Sequence, residues 1–135
     1  MLVNGSPTRA KVVASSLDQS FRQSQIFGNI PEAAVIFTQG GTRPTCVLVQ
    51  FSAQTFQLGG DSVMIRATLD NITAAIPAEV QYSTAPNNAV ISGAYSYQFV
   101  FPNVAPGNHI LRMQFRSAGG GGVFVHRHTT VVHYQ

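Results

Sequence analysis

The segment YSYQFVF, residues 95–101, places an aromatic side chain at every second position. Because successive side chains of a β-strand point to opposite sides of the sheet, its aromatic rings share one face. Such a face is typical of the interior of a β-sandwich, where large rings supply much of the buried area. We therefore predict a strand at residues 94–101 whose aromatic face lies in the core. A platform for stacking sugar rings is the alternative if that face is turned outward.

The same alternation recurs along most of the chain, in short segments separated by Gly, Pro and Asn, while helical periodicity is nearly absent. The clearest predicted strands are 33–38, 45–56, 62–69, 94–101, 109–117 and 123–134, and weaker ones are 11–14, 21–27, 72–76 and 79–83. About eight to ten strands divided by turn residues predict an all-β fold, an antiparallel β-sandwich of jelly-roll type.

The first 30 residues are more polar than the rest and rich in Ser and Gln, and they end at a turn-like Gly-Asn-Ile-Pro. We divide the chain into residues 1–30 and a jelly-roll sandwich over residues 31–135. Two interpretations of residues 1–30 remain open. They form an arm that adds a strand to a neighbouring subunit, or they are the first strands of the chain's own sandwich.

Charged residues make up 10% of the chain, against about 25% in an ordinary soluble domain. A surface built from Ser, Thr, Gln and Asn carries little charge repulsion, which favours self-association or other subunits as partners. The eight Lys and Arg residues are scattered without a basic run, so we expect no nucleic-acid partner.

The N-terminus has no charged segment followed by an apolar one, and no apolar run approaches the roughly 20 residues of a membrane helix. We expect synthesis in the cytoplasm without a Sec signal, no membrane insertion, and a place in a virion or an extracellular assembly. The single Cys46 lies in a predicted strand and is interpreted as a buried apolar residue. No cofactor is expected.

The histidines near the C-terminus are the best candidates for metal chemistry. On a regular strand His126 and His128 lie on the same face. With Gly120 they resemble the first half of the glycine-rich metal motif of cupins, which are jelly rolls. The glutamate of that motif is missing, since Val132 or His133 stands in its place, and its second half is absent. His126 and His128 are thus weak metal candidates, and the alternative places them at solvent or a neighbouring subunit, where they would make assembly pH-sensitive.

No set of residues predicts catalysis, and we expect a protein that is not an enzyme. The five carboxylates lie mostly in turn-like contexts, where Asp61 and Asp70 are interpreted as turn residues. There is no Gly-x-Ser-x-Gly elbow. The glycine run at residues 119–122 lacks the lysine and helix of a phosphate-binding loop, so it is interpreted as a flexible hairpin tip.

The C-terminal third resembles a two-strand ending of bacterial and phage β-sandwich domains. A Pro-Gly-Asn-His turn at residues 106–109 leads into a strand, the glycine run follows, and residues 123–134 close the sheet. Similar endings occur in jelly-roll modules of phage tail and virion proteins, which are related in shape to C1q and tumour-necrosis-factor heads, and in some carbohydrate-binding modules. The phage and virion modules are often trimeric, so the resemblance implies a jelly roll that forms a homo-oligomer.

These observations favour a non-enzymatic, self-assembling structural subunit, such as a virion decoration or tail component or a subunit of an extracellular filament or appendage. The predicted interface residues are Arg112, Arg116, His126, His128, Phe21 and Ile26. The first alternative is a carbohydrate-binding module that uses Tyr82, Tyr95 or Tyr97. The second is a small cupin-like metal protein.

Overall fold

A computed structural model of the chain describes residues 7–15, 20–57, 59–86 and 91–135. Ten strands follow one another: β1 (Arg9–Ala14), β2 (Ser20–Arg22), β3 (Gly28–Gln39), β4 (Thr45–Gln57), β5 (Ser62–Leu69), β6 (Thr73–Ala74), β7 (Val80–Thr84), β8 (Ile91–Val104), β9 (Gly107–Ser117) and β10 (Val123–Tyr134). The described residues contain no helix able to span a membrane.

The strands form two antiparallel sheets. Sheet A has the order β1–β10–β4–β8, and β2 pairs with β10 beside β1. Sheet B has the order β3–β9–β5–β6, and β7 pairs with β5 beside β6. From β3 onward the chain crosses repeatedly between the two sheets, so that strands distant in sequence become neighbours. This interleaved order is a jelly roll, as the alternating pattern predicts.

The core lies between the sheets and is filled by alternate side chains of the long strands. Its largest fully buried apolar members are Phe37, Phe51, Phe99, Phe101, Ile65, Leu111 and Met113. In β4 the odd-numbered residues from Val47 to Gln57 are buried, whereas the even-numbered ones are half-buried or exposed. The period of two therefore assigns each side chain of the regular strands to the core or to an outer face.

The two sides of the sandwich are closed differently. On one side β1 lies against β3, where Lys11 Nζ donates to the Ile36 carbonyl at 2.7 Å and Gly40 N donates to the Gln135 carbonyl at 2.8 Å. On the other side Ile76 forms an isolated antiparallel bridge with Val100 of β8. The sheets are thus joined near both margins.

The predicted strands at 62–69 and 123–134 have the observed bounds of β5 and β10, and the others differ mostly at their ends. The weaker predicted strand at 21–27 is observed only as the three-residue strand β2, since the chain bends at residues 25–26. Both β1 and β2 pair with β10 of the same chain. The division at residue 30 stays a prediction, and residues 1–6 and 16–19 lie outside the described part.

Candidate assembly surface

The outward side chains of sheet A form a broad face with almost no charge, which we call the sheet A face. Its members alternate with the buried residues along each strand and lie opposite one another across neighbouring strands. They are Ala10, Val12, Ala14, Phe21, Leu48, Gln50, Ser52, Gln54, Phe56, Ser92, Ala94, Ser96, Gln98, Val100, Phe124, His126, Thr129, Val131 and His133. Among the described residues, Arg127 is the one Arg, Lys, Asp or Glu side chain beside them, and its Nη1 donates to Gln54 Oε1 at 3.2 Å. Val12 is 62% exposed on this face.

An aromatic cluster occupies one end of the sheet A face. Phe124 lies between Phe21 and Phe56, with ring centroids 4.7 Å and 5.4 Å away. His126 stacks on Phe124 at 6.5 Å. Because Phe21 is exposed while the other two phenylalanines are half-buried, the cluster presents apolar area to solvent. The predicted interface residues Phe21 and His126 therefore lie together.

The outer face of sheet B is charged. Arg66, Arg112 and Arg116 project from β5 and β9, and Arg116 Nη2 pairs with Glu79 Oε1 at 3.1 Å. The guanidinium carbons of Arg66 and Arg116 lie 4.2 Å and 5.3 Å from the centre of the Phe27 ring, within cation–π range. The predicted pair Arg112 and Arg116 does share a face, but that face is opposite the one carrying Phe21 and His126.

His126 and His128 do not share a face, so the prediction of a common placement was wrong. The register of β10 against β4 shifts between His126 and Thr129, and Arg127 adopts a left-handed φ of 45°. This β-bulge inserts a residue and reverses the alternation. His126 remains outward, whereas His128 lies in the core at 2% exposure. The cupin-like alternative loses its geometric basis, and the described residues contain no cluster of three metal-ligating side chains.

His128 is a buried histidine without hydrogen bonds of normal geometry. Its ring lies 5.5 Å from the ring of Phe51, and neither ring nitrogen has a hydrogen-bond partner. Burial lowers the pKa of His128 below its ordinary value of 6.5, which outweighs the opposite influence of the Pro31 carbonyl and Glu32. The imidazole is therefore held neutral in the core and is unavailable to a partner.

Asp61 organises the glycine run, which is not the flexible tip that the sequence suggested. The buried carboxylate accepts hydrogen bonds from Ser117 Oγ at 2.5 Å, from Ser62 N at 2.8 Å, and from the amides of Gly119, Gly121 and Gly122 at 2.8–2.9 Å. Burial alone would raise the pKa of Asp61, but the hydrogen bonds from Ser117, Gly119, Ser62 and Gly122 outweigh it and lower the pKa. Asp61 thus fixes the β9–β10 hairpin to the start of β5.

Asp70 and His109 form a second link, half-buried, that sequence reasoning missed. His109 Nδ1 lies 2.7 Å from Asp70 Oδ2, and its Nε2 lies 2.7 Å from the Ala105 carbonyl. Asp70 Oδ1 also accepts from Ile110 N at 2.9 Å. Burial raises the pKa of Asp70, but the hydrogen bonds from His109 and Ile110 and the nearby imidazole lower it overall. Both ring nitrogens of His109 are occupied, so the pair joins two turns and offers no free base.

The tyrosines named for glycan stacking face the interior side of the sheets. Tyr82 is buried, and its hydroxyl donates to the Phe51 carbonyl at 2.5 Å. Tyr95 is half-buried and packs against Tyr82, with ring centroids 6.4 Å apart. Tyr97 remains 47% exposed because it lies at the margin of the sandwich. The aromatic stripe is therefore core at Phe99 and Phe101 and only partly covered at Tyr95 and Tyr97.

Two further features of the surface are a groove on the sheet A face and the exposed loop between β2 and β3. The shallow groove, of about 560 Å³, runs along that face and is lined by Ser52, Gln54, Ser96, Arg127 and Thr129, among others. Ile26, the remaining predicted interface residue, is 76% exposed in the loop after β2. Its carbonyl accepts from Arg22 Nε at 2.8 Å, which holds the loop in place.

No family model matches the chain, and no curated protein matches it. Solved structures similar to it include infectious bursal disease virus (Gt strain; 14% identity, 93% of this chain, 32% of that chain, TM-score 0.46). They also include a CBM35 domain from Cellvibrio japonicus (13% identity, 94% and 95%, TM-score 0.45) and an insecticidal delta-endotoxin from Bacillus thuringiensis (9% identity, 84% and 19%, TM-score 0.41). These are similarities of fold.

The chain spans about a third of the viral protein and about a fifth of the endotoxin. It spans nearly all of the CBM35 domain. The jelly-roll assignment itself rests on the strand order and register of the two sheets.

Proposed function

We propose that this protein is a non-enzymatic structural subunit that assembles through the sheet A face, as a component of a virion or of an extracellular filament or appendage. The observation that carries the proposal is the contrast between the two outer faces. Sheet B presents three arginines and Glu79 to solvent, whereas the sheet A face presents one arginine among apolar and uncharged polar side chains.

This contrast has a physical meaning for association. The cores of protein interfaces are depleted in charged residues, because desolvating a charge costs more than a contact returns, and they are enriched in aromatic residues. Exposed Phe21 and Val12 together with half-buried Phe56, Phe124 and Val131 supply apolar area. The intervening Gln, Ser and Thr side chains can pair with one another across a contact.

The test compares two apolar-to-lysine variants of matched position. Val12→Lys charges the sheet A face on edge strand β1, and Ile36→Lys charges the outer face of sheet B on edge strand β3, where Ile36 is 67% exposed. In sedimentation velocity over a concentration series we expect association of the unmodified chain, weaker association of Val12→Lys, and unchanged association of Ile36→Lys. A monomeric unmodified chain at the highest soluble concentration would refute the proposal.

The groove beside Gln54 and Arg127 favours glycan binding as the second candidate function. Its hydroxyl and amide groups match those that recognise sugar hydroxyls, although Tyr95, the aromatic residue among its lining, packs against buried Tyr82 on the interior side of the sheet. Titration with common polysaccharides, monitored by calorimetry, distinguishes the two. Saturable binding that Gln54→Ala abolishes, with no self-association, would favour the glycan function.

A further inference from the structure

We infer that β8 is a self-complementary edge strand, through which two copies of this chain join their A sheets into one continuous antiparallel sheet. The inference deepens the proposed function and rests on it. It names a contact along the strand edge, distinct from the sheet A face, and commits to a second copy as the partner.

The first observation is that β8 lacks the protections found at the other sheet margins. At β1, Lys11 reaches across to the Ile36 carbonyl of β3, and β3 carries an irregularity where Glu32 has a φ of 57°. β6 and β7 are short, with 2 and 5 residues. Natural sheets commonly block edge pairing by charge, by irregularities and by short strands.

By contrast, residues 91–98 of β8 are Ile-Ser-Gly-Ala-Tyr-Ser-Tyr-Gln, without charge and without proline. Their pairing with β4 runs from Val47↔Phe101 to Gln57↔Ile91 without a shift in register. Within the described part of the chain, no strand pairs with the other side of residues 91–98. A long, regular and uncharged edge of this kind is a template for another strand.

The second observation fixes which backbone groups face that edge. Val100 N donates to the Ile76 carbonyl at 2.8 Å, and Ile76 N donates to the Val100 carbonyl at 2.9 Å. Both polar groups of Val100 therefore point away from β4. Because this orientation repeats every second residue on a regular antiparallel strand, those of Ser92, Ala94, Ser96 and Gln98 also point to the open edge.

These residues are symmetric about Tyr95, which makes the edge complementary to itself. In an antiparallel two-fold pairing centred on Tyr95, Ser92 lies opposite Gln98 and Ala94 opposite Ser96 of the second copy. Every outward N–H and C=O of the four residues is then paired. Ile91, where β8 begins, lies opposite Phe99, so the incoming strand ends just before the edge already occupied by Ile76.

The side chains fit the same register. Tyr97, 47% exposed, lies opposite Gly93, where the ring of Tyr95 of the same copy occupies the place of the missing side chain, so that the two aromatic rings meet across the pairing. The uncharged sequence places no like charges opposite each other. A second copy therefore pairs the outward backbone N–H and C=O groups and also covers the exposed ring of Tyr97.

The first test removes one outward amide. Ser96→Pro deletes an N–H that faces the open edge and makes no bond to β4, a position at which edge strands tolerate proline. Ser96→Ala is the matched control, because it keeps the N–H and loses the same hydroxyl contacts to Ser52 and Gln50. In sedimentation velocity we expect Ser96→Pro to weaken dimerisation by about tenfold or more, since it removes paired donors from both copies, and Ser96→Ala, which loses only a hydroxyl of the sheet A face, to weaken it much less.

The second test determines the register by disulfide cross-linking. It uses a Cys46→Ala background, so that the introduced cysteine is the single one in the chain. Tyr95 pairs with itself in a non-hydrogen-bonded position, where Cα atoms lie about 4.5 Å apart, within disulfide range. We expect Tyr95→Cys to form an intermolecular disulfide on mild oxidation, and Tyr97→Cys, on the same face but away from the axis, to fail.

The outcomes separate the two proposals. If the unmodified chain never associates, both the proposed function and this inference fail. If it associates, but Ser96→Pro associates equally and Tyr95→Cys does not cross-link, the edge pairing is overturned while assembly through the sheet A face stands. Cross-linking by Tyr97→Cys in place of Tyr95→Cys would overturn the stated register.

Discussion

At the scale of single residues, this sandwich accommodates two buried ionisable side chains in opposite ways. Asp61 is charged and accepts hydrogen bonds from four groups of the β9–β10 hairpin and from Ser62 N, whereas His128 is neutral and makes none of normal geometry. A buried charge is tolerated only when it is well solvated by the protein, and a buried imidazole avoids that requirement by remaining unprotonated. The free energy of unfolding therefore depends on pH through both residues.

Replacing Asp61 with Asn should destabilise the fold by about 2–4 kcal/mol, because a neutral amide loses the charge-assisted bonds and turns its own N–H groups toward donors. Since the folded pKa of Asp61 lies below its usual 3.8, its contribution is complete above that value and is lost as the pH falls through the lowered folded pKa. Urea unfolding should show a smaller difference between wild type and variant at about pH 3 than at pH 7. Ser117→Ala, which removes one donor, should cost about 1 kcal/mol. An equal difference at both pH values would contradict this role.

Replacing His128 with Leu should remove a pH dependence of stability near neutrality. The folded pKa of His128 is below 6.5, so the unfolded chain takes up the proton first and stability falls as the pH drops below that value. The leucine variant should lose this slope and keep wild-type stability or exceed it at pH 7, since it removes two buried ring nitrogens that lack hydrogen-bond partners. His126→Leu, on the sheet A face, is the control and should keep the slope. Chemical unfolding from pH 7 to pH 5 measures both.

At the scale of elements, the bulge in β10 decides which side chains enter the core. Before the bulge the odd-numbered residues Val123 and Val125 are buried, and after it the even-numbered residues Val132 and Tyr134 are. One inserted residue is sufficient, because a strand alternates with a period of two. The bulge thus places His128 in the core and leaves His126 on the sheet A face.

Arg127, at the centre of the bulge, should be replaceable by Gly with a gain of up to about 1 kcal/mol in stability. A left-handed φ costs a non-glycine residue about 1–2 kcal/mol, part of which the larger entropy of an unfolded glycine offsets. Arg127→Ala keeps this strain and loses the contact to Gln54, so it should give no gain. Thermal and urea unfolding of both variants test the difference. A destabilised glycine variant would show that the arginine side chain matters more than its backbone.

At the scale of the whole molecule, the two outer faces differ in charge, and this predicts how salt should act on assembly. Association through the sheet A face buries uncharged groups, so moderate NaCl should change it little and sulfate should strengthen it. Association through Arg66, Arg112 and Arg116 of sheet B would instead weaken as NaCl rises. Light scattering over a salt series distinguishes the two faces, and a steep loss of association in NaCl would contradict the proposed surface.

Much of the fold could be predicted from the sequence, because period-two alternation and turn residues are local signals. They indicated the jelly-roll sandwich, placed Phe99 and Phe101 in the core and put Arg112 and Arg116 on one face. The candidate surface was predicted less well. Phe21 and His126 do lie on the sheet A face, but His128 does not, since nothing local reveals that Arg127 forms a bulge opposite β4.

The sequence by itself determined that this chain is an all-β sandwich with little charge, since composition and strand period are properties of the chain alone. Only the tertiary structure decided where the few charges lie, that Asp61 holds the glycine run, that Asp70 and His109 join two turns, and that β8 forms an open edge. The physical reason is that the jelly roll pairs strands distant in sequence. Contacts between such strands depend on register and on sheet order, which no local pattern encodes.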